Sequence, residues 1–402
     1  MNSIFHKESL LLLSILFVPS VNYGVYYSAL FFLSAFIIFS RKQFSYVKKE
    51  WLIILLSIFS FYFFVLFIRF IGYESVSDYK ELVKLTLFTV VLISFKDIRI
   101  NHIERIFIVY ILLNFIISIS QFMHISNTLL DGFSLVYSNP NHISASLSQN
   151  SVRAIGLSED PGSNGVISLL FYVFFLTLLL FDKRTILRFT GVLACISVLF
   201  ITQSKSSLIS AILVSAFMFS FVIFNKKKYT TNRMNLILIW LLVLFAFFWF
   251  IQDILNNFYG YKKLLNAGLE VSSMGARIDK WGEFYRAIIN QDNIFMILFG
   301  AGRGFLEVDG IKSSVFDNDY IYLFVNYGLL GVLIFTIKVF NVIFNYILKF
   351  NSISISEKIL LFVLFSGCVA SLAVPYYTNL KVISIIALFL TLTFFTKKGA
   401  NI

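Results

Sequence analysis

The sequence predicts an all-α integral membrane protein with about 12 transmembrane helices, and three observations lead to this fold class. First, 58% of the 402 residues are hydrophobic and 13% are charged, with a mean hydropathy of +0.85. A soluble domain carries roughly 25% charged residues and could not bury this much apolar surface. Second, the apolar residues fall in long runs. Third, the basic residues are concentrated between these runs on one side.

The apolar runs approach or reach the roughly 17–25 residues that a helix needs to cross a bilayer. They lie near 8–22, 24–40, 51–71, 80–95, 105–123, 163–181, 186–202, 206–224, 234–251, 319–341, 358–374 and 379–396. The first, fourth and eleventh runs are the shortest or most polar. An even number of spans would place both termini on the same side of the membrane.

The distribution of basic residues predicts which side that is. More than half of the 33 Lys and Arg residues fall on the side of the termini, including clusters near 41–49, 96–105, 183–188 and 226–233. Because short cytoplasmic loops are enriched in Lys and Arg, we expect both termini to be cytoplasmic. Topology therefore explains the net charge of +12, which does not indicate nucleic-acid binding.

Two long segments are expected on the opposite, external face of a single membrane domain that spans residues 1–402. They cover about 124–162 and about 252–318, and functional residues are often found on such segments. In the second segment, Ile278, Trp281, Tyr285 and Ile288 recur at helical spacing. This spacing predicts either a helix at the membrane interface or an ordinary surface helix against lipid.

Three external cations are candidates for binding an anionic ligand. Arg153 is the one basic residue between Arg105 and Lys183, and Lys205 lies between two serines in a tight turn. Either could anchor the protein to lipid phosphates or bind a substrate phosphate. Arg303 lies in "FGAGRGF", where glycines let the backbone approach a ligand closely, although the motif matches no nucleotide fingerprint.

Two groups of acids precede apolar runs on this face. Glu159 and Asp160 come directly before a Pro-Gly pair, and Asp317 and Asp319 flank Asn318 at the start of "YIYLFVNYGLLG". A carboxylate at the start of a helix is often a capping residue. The same group can also accept a proton in catalysis, so both interpretations stay open.

Several of these segments, in this order, resemble the Wzy-type O-antigen polymerase and O-antigen ligase superfamily of bacterial inner membranes. The segments are "RAIGLSEDPGSNG", "TQSKSSLISAIL", "RIDKWGEFYRAI" and "FGAGRGF…DNDYIYLFVNYGLLG". The last is the most specific, because ligases carry His-Asn, then Tyr, then two glycines at the same offsets. The matching positions are Asn318, Tyr320, Gly328 and Gly331, while Asp317 occupies the place of the His.

The resemblance implies a GT-C-like glycosyltransferase without a soluble domain, with its active face in the periplasm. Its reaction would polymerise undecaprenyl-pyrophosphate-linked repeat units into O-antigen or capsular polysaccharide, as part of lipopolysaccharide biosynthesis. The implied partners are these lipid-linked glycans, membrane lipid and a chain-length regulator protein, with neither a nucleotide nor a metal cofactor. A ligase that transfers glycan to the lipid A core and a lipid-linked oligosaccharide flippase are the alternatives. The missing His favours a polymerase over a ligase.

The resemblance also implies roles for individual residues. Arg153 and Arg277 are expected to bind the pyrophosphate, with Lys205 assisting, and Arg303 is a secondary candidate from its glycine setting. For the catalytic base, the candidates are Asp317, Glu159 and Asp160, or no dedicated base at all. The residues expected to position the glycan or the loop are Trp281, Asn318, Asp319 and Tyr320.

Overall fold

A computed structural model shows a helical protein in the parts of the chain that it describes. These parts are residues 7–40, 60, 76–95, 98–125, 128–147, 152–182, 185–224, 272–290, 293–302, 305 and 317–395. Within these ranges the secondary structure is helix and connecting turns, without a β-strand. The all-α prediction is confirmed for these residues.

The described ranges contain fourteen helices. They are α1 Lys7–Phe17, α2 Tyr23–Ser40, α3 Val76–Ser94, α4 Ile100–Phe122, α5 Thr128–Tyr137, α6 Pro140–Ser146, α7 Pro161–Phe181, α8 Ile186–Ile201, α9 Lys205–Phe224, α10 Ser272–Ile289, α11 Ile294–Phe299, α12 Asp319–Leu348, α13 Ile355–Ala370 and α14 Leu380–Phe395. Helices α5 and α6 lie in the first expected external segment, and α10 and α11 lie in the second.

Five of the described helices are long and apolar enough to cross a membrane, which agrees with a multi-pass membrane protein. They are Tyr23–Ser40, Ile100–Phe122, Pro161–Phe181, Lys205–Ile223 and Asp319–Leu348. Val83–Ser94, Ile186–Ile201 and Leu380–Thr393 are shorter apolar helices. Two expected spans lie outside the described residues. They are the spans near 51–71, of which Ser60 alone is described, and near 234–251. The total of about 12 spans stays a prediction.

The chain divides into two compact units. The first comprises Met1–Ile106, Arg277–Leu364 and Ser371–Ile402, and the second comprises Phe107–Ala276 and Phe365–Ala370. In the first unit α3 packs against α2 and α14, and the Thr391 hydroxyl of α14 donates a hydrogen bond to the Leu92 carbonyl of α3 at 2.9 Å. In the second unit α7 packs against both α8 and α9 and is almost wholly buried.

Helix α12 is broken at Gly328, which separates a short N-terminal part from the rest of the helix. Gly328 has φ 66° and ψ −169°, a left-handed conformation that favours glycine. A Cβ at Gly328 would lie 2.3 Å from the carbonyl oxygen of Leu298, and one at Gly300 would lie 2.6 Å from the amide nitrogen of Tyr327. The two glycines thus bring the backbones of α11 and α12 into direct contact.

Candidate functional site

An ion pair joins α10 to the residues that precede α12. The Nε of Arg277 donates a hydrogen bond to Oδ2 of Asp317 at 3.0 Å, and the two side chains are 37% and 33% exposed. Ion pairs this open to solvent contribute about 0–1 kcal/mol to stability. Stability therefore explains the pair poorly, while its exposure leaves both groups accessible to a ligand.

Asn318, and neither neighbouring acid, caps α12. Its Oδ1 accepts hydrogen bonds from the backbone amides of Tyr320 at 2.9 Å and Ile321 at 3.2 Å. Its Nδ2 donates to the carbonyl of Leu372 at 3.0 Å. The interpretation of Asp317 as a simple N-cap is wrong, because α12 begins at Asp319 and the cap position falls on Asn318.

Asp319 is 1% exposed and anchors the start of α12 to the connection between α13 and α14. Its Oδ2 accepts from the Ser371 hydroxyl at 2.9 Å and from the Tyr377 amide at 2.6 Å. Its Oδ1 accepts from the Thr378 hydroxyl at 2.6 Å. Because its oxygens are buried and hydrogen-bonded, Asp319 can hold the segment in place but cannot reach a substrate.

A charged cluster on α3 contacts the part of α12 that precedes Gly328. Sequence reasoning missed this cluster. Lys84 Nζ lies 2.9 Å from Glu81 Oε1 and donates to the Tyr322 hydroxyl at 2.9 Å. Tyr322 is one turn beyond Asp319. The signal was present in the sequence, because two opposite charges three residues apart inside an apolar run are rare unless they face protein or function.

Helix α10 buries one residue of its apolar face, Ile288, and leaves the rest of that face exposed or half-buried. Phe284 and Ile288 are buried in a core cluster with Tyr322 and Val325, whereas Ile278 and Tyr285 are more than half exposed. Exposed apolar side chains on an amphipathic helix suit a position at the membrane interface. Trp281 is half-buried, as is Tyr320 at the start of α12.

In the second unit, Arg153 is tied to the turn between α8 and α9. Its backbone amide donates to the Ser146 carbonyl at 2.7 Å, and its Nε donates to the Thr202 carbonyl at 3.3 Å. Gln203, next in this turn, has a φ of 51°, a conformation that is costly for a non-glycine residue and often found at functional sites. Since α9 begins at Lys205, the fold brings Arg153 and Lys205 to one turn.

The segment after Arg153 is held by amide side chains from two apolar helices. Gln121 Oε1 accepts from the amides of Ile155 at 3.0 Å and Gly156 at 2.9 Å. Asn114 Oδ1 accepts from the Leu157 amide at 2.8 Å, and its Nδ2 donates to Asn164. Gly156 has a φ of 60°, and a Cβ there would lie 2.2 Å from Asn114 Oδ1.

These contacts explain why an Arg is followed three residues later by a Gly. Sequence analysis missed Asn114, Gln121 and Asn164, although amide side chains within membrane helices are a recognisable signal.

The two acids beside α7 differ in what they contact. Asp160 caps the helix, since Oδ1 accepts from the Ser163 amide at 3.0 Å and Oδ2 from the Ser163 hydroxyl at 2.7 Å. Pro161 occupies the first helical position, as expected for a helix entry. The Glu159 carbonyl accepts from the Ser138 hydroxyl, and its side chain is half-buried. These contacts support a helix-start role for Asp160, while catalysis by either acid stays a prediction.

The expected site residues therefore fall into two groups. Arg277, Asp317 and their neighbours belong to the first unit, and Arg153 and Lys205 belong to the second. Arg303 lies outside the described residues.

Comparison with known families bears on both groups. Residues 190–336 match the family model described as O-antigen ligase, which is somewhat more than a third of the chain. This match supports membership of the O-antigen polymerase/ligase superfamily. No curated protein and no solved structure matches it.

Members of this family are glycosyltransferase-like enzymes that act on lipid-linked glycans in a membrane. The family includes both ligases and polymerases. The matched range contains Lys205, Arg277 and Asp317, whereas Arg153 precedes it. The broken helix α12 is also part of the superfamily match, up to residue 336.

Proposed function

We propose that the protein polymerises undecaprenyl-pyrophosphate-linked repeat units at the periplasmic face of the inner membrane. The observation that carries this proposal is the ion pair between Arg277 and Asp317, with its nitrogen and oxygen 3.0 Å apart. The pair lies within the matched family range, and its two side chains are partly exposed. It offers one cation for a leaving phosphate and one carboxylate for a proton.

In the proposed reaction, a hydroxyl oxygen of the acceptor sugar attacks the anomeric carbon of the donor glycan. The new carbon–oxygen bond forms as the bond from that carbon to the pyrophosphate oxygen breaks. Undecaprenyl pyrophosphate leaves with the electron pair, and the hydroxyl proton passes to the carboxylate of Asp317. Atoms and charge balance without an oxidant, a reductant or a further reactant.

Arg277 is suited to stabilise the leaving group. Its bond to Asp317 uses the Nε–H, and a guanidinium carries four further N–H groups on its two Nη atoms. Each charge-assisted hydrogen bond to the developing phosphate charge is worth about 1.5–3 kcal/mol. Arginine binds phosphate with paired donors, which a lysine cannot reproduce.

Asp317 is suited to accept the proton because its carboxylate is not used as a helix cap. Asn318 supplies that cap, and Asp319 is committed to buried contacts. Arg277 orients Asp317 by donating a hydrogen bond to Oδ2. We therefore prefer Asp317 to Asp160 as the base, since Asp160 already caps α7 with both oxygens.

Arg153 and Lys205 are proposed to bind pyrophosphate from their shared turn in the second unit. The turn is held rigidly, because Ala154 donates to the Ile201 carbonyl at 3.2 Å and the Gln203 side chain donates to the Val152 carbonyl at 2.8 Å. A rigid cation loses less entropy on binding a phosphate than a mobile one.

A ligase is the second candidate, because the matched family model carries that description. The carboxylate at position 317, where the ligase pattern has a His, favours the polymerase. Deleting the gene and analysing the surface polysaccharide separates the two. Caps of a single repeat unit without a ladder would support the polymerase, whereas no caps with accumulating lipid-linked polymer would support the ligase.

Purified protein in proteoliposomes provides a second test. Lipid-linked repeat units should be joined without added energy or nucleotide. Translocation of the lipid-linked oligosaccharide without bond formation would overturn the proposal in favour of a flippase.

A further inference from the structure

We propose that Glu81 and Lys84 of α3 are positioning residues for the proposed site, and that they act through the hydroxyl of Tyr322. This inference rests on the proposed function and adds the contacts that hold the segment carrying Asp317. Lys84 Nζ lies 2.9 Å from Glu81 Oε1 and donates a hydrogen bond to the Tyr322 hydroxyl at 2.9 Å. All of these residues, like Arg277, belong to the first unit.

Stability does not explain why this ion pair is buried. The Lys84 and Glu81 side chains are 20% and 7% exposed, and the helix from Val83 to Ser94 is apolar. Removing two charges from water costs about as much as their attraction returns, so two apolar side chains of similar volume are often equally stable. An ionisable pair within a membrane helix therefore points first to function.

The part of α12 before Gly328 depends on its own contacts for its position. Gly328 interrupts the helix, so this part does not simply continue the line of the residues that follow. The connection between α13 and α14 holds its first turn through Asp319. One turn later, Phe284 of α10 lies in the same core cluster as Tyr322, and Lys84 donates to the Tyr322 hydroxyl. The ion pair on α3 is thus one of the contacts that fix this part of α12.

A hydrogen bond restrains the rotation of this helical part more tightly than apolar packing does. Apolar packing is non-directional, whereas a hydrogen bond weakens steeply as its angle changes. A small rotation would carry Asp317 away from Arg277, whose Nε lies 3.0 Å from Oδ2 of Asp317. A displacement of about 1 Å at a reacting group can slow a reaction about 100-fold. Lys84 therefore has a positioning role through Tyr322 and not a catalytic role.

Tyr322→Phe tests this role, because it removes the hydroxyl and keeps both the aromatic ring and the ion pair. The kcat for polymerisation should fall about 10- to 100-fold while KM changes less than about twofold, since a displaced carboxylate slows the chemical step more than it weakens binding. Tyr26→Phe is the matched control, because Tyr26 is also buried in the first unit and its hydroxyl donates to the Ile15 carbonyl at 3.3 Å. Wild-type kcat in Tyr322→Phe, or an equal fall in Tyr26→Phe, would overturn the positioning role.

Replacing both charges together tests whether the ion pair acts through Tyr322. Glu81→Leu combined with Lys84→Met leaves neither charge buried without its partner, so the amount of folded protein should stay close to that of wild type. Its kcat should fall as it does in Tyr322→Phe, and adding Tyr322→Phe should lower kcat no further, because all three substitutions affect one contact. Wild-type kcat in the pair variant, or effects that multiply in the combined variant, would contradict the inference.

Cross-linking measures the position of Asp317 without turnover. In a background with both native cysteines replaced by serine, a short bifunctional thiol reagent should join Arg277→Cys to Asp317→Cys. Adding Tyr322→Phe should lower the yield of the cross-link, whereas adding Tyr26→Phe should not. Equal yields with and without Tyr322→Phe would overturn the positioning role while the polymerase stands. Wild-type protein that forms no glycosidic bond would overturn the proposed function instead.

Discussion

Three adjacent polar residues at the start of α12 have three different contacts. Asp317 pairs with Arg277, Asn318 caps the helix, and Asp319 is buried against the connection between α13 and α14. The sequence predicts a polar cluster at a helix start, but it does not say which residue caps. That depends on the residue at which the helix begins, and a shift of one position exchanges the roles.

Replacing Arg277 tests the phosphate assignment. Arg277→Ala should reduce polymer formation about 10- to 100-fold, because one or two charge-assisted hydrogen bonds to the leaving group are lost. The amount of protein in the membrane should stay unchanged, because the exposed ion pair contributes little stability. Arg286→Ala is the matched control, since Arg286 is exposed on the same helix and donates to the Gly282 carbonyl. Full chain length in Arg277→Ala would refute the assignment.

Asp317→Asn and Asp319→Asn should fail in different ways. Asp317→Asn removes the proposed proton acceptor, so kcat should fall about 100-fold while thermal stability is kept. Asp319→Asn replaces a buried oxygen acceptor with a donor and should cost about 1–3 kcal/mol of stability. Detergent-solubilised thermal unfolding and polymerisation kinetics measure the two effects. Equal and mild losses of activity in both variants would argue against a catalytic role for Asp317.

At the scale of elements, apolar runs predict the long helices well and their interruptions poorly. The runs near 24–40, 163–181 and 206–224 agree within a few residues with α2, α7 and α9. The break at Gly328 is hidden, because the apolar sequence continues through it. The exposed Ile278 and Tyr285 of α10 agree with the expected interfacial or lipid-facing helix, whereas the burial of Phe284 depends on tertiary contacts that the apolar spacing does not show.

The backbone contact between α11 and α12 should be intolerant of a methyl group. Gly328→Ala should destabilise the protein by at least about 2 kcal/mol, because Ala is disfavoured at a φ of 66° and its Cβ would meet the Leu298 carbonyl. Gly282→Ala is the control, since its Cβ would find its nearest neighbour at 3.8 Å. Size-exclusion chromatography after graded heating measures both. Equal melting temperatures for the two variants would contradict the role of the break.

At the scale of the whole molecule, composition predicts that the protein lies in lipid, and the distribution of basic residues predicts its orientation in the membrane. Neither predicts which polar groups distant in sequence are in contact. Asn114 and Asn164 are 50 positions apart, yet their side chains are hydrogen-bonded at 2.8 Å. Lys84 and Tyr322 are 238 positions apart, yet the Lys84 Nζ lies 2.9 Å from the Tyr322 hydroxyl oxygen. Local sequence patterns mark such polar residues as unusual within apolar helices, but they do not say which of these residues pair.

The predicted orientation can be tested along α12, which is broken at Gly328 but is long and apolar enough to cross a membrane. We expect Arg277 and the start of α12 to face the periplasm and the connection after Leu348 to face the cytoplasm. In a background with both native cysteines replaced by serine, Ile278→Cys should react with a membrane-impermeant maleimide in spheroplasts. Ser352→Cys, which is also at an exposed site, should react only after the membrane is permeabilised. Labelling of Ser352→Cys in intact spheroplasts would reverse the orientation and remove the proposed site from the face on which its substrates lie.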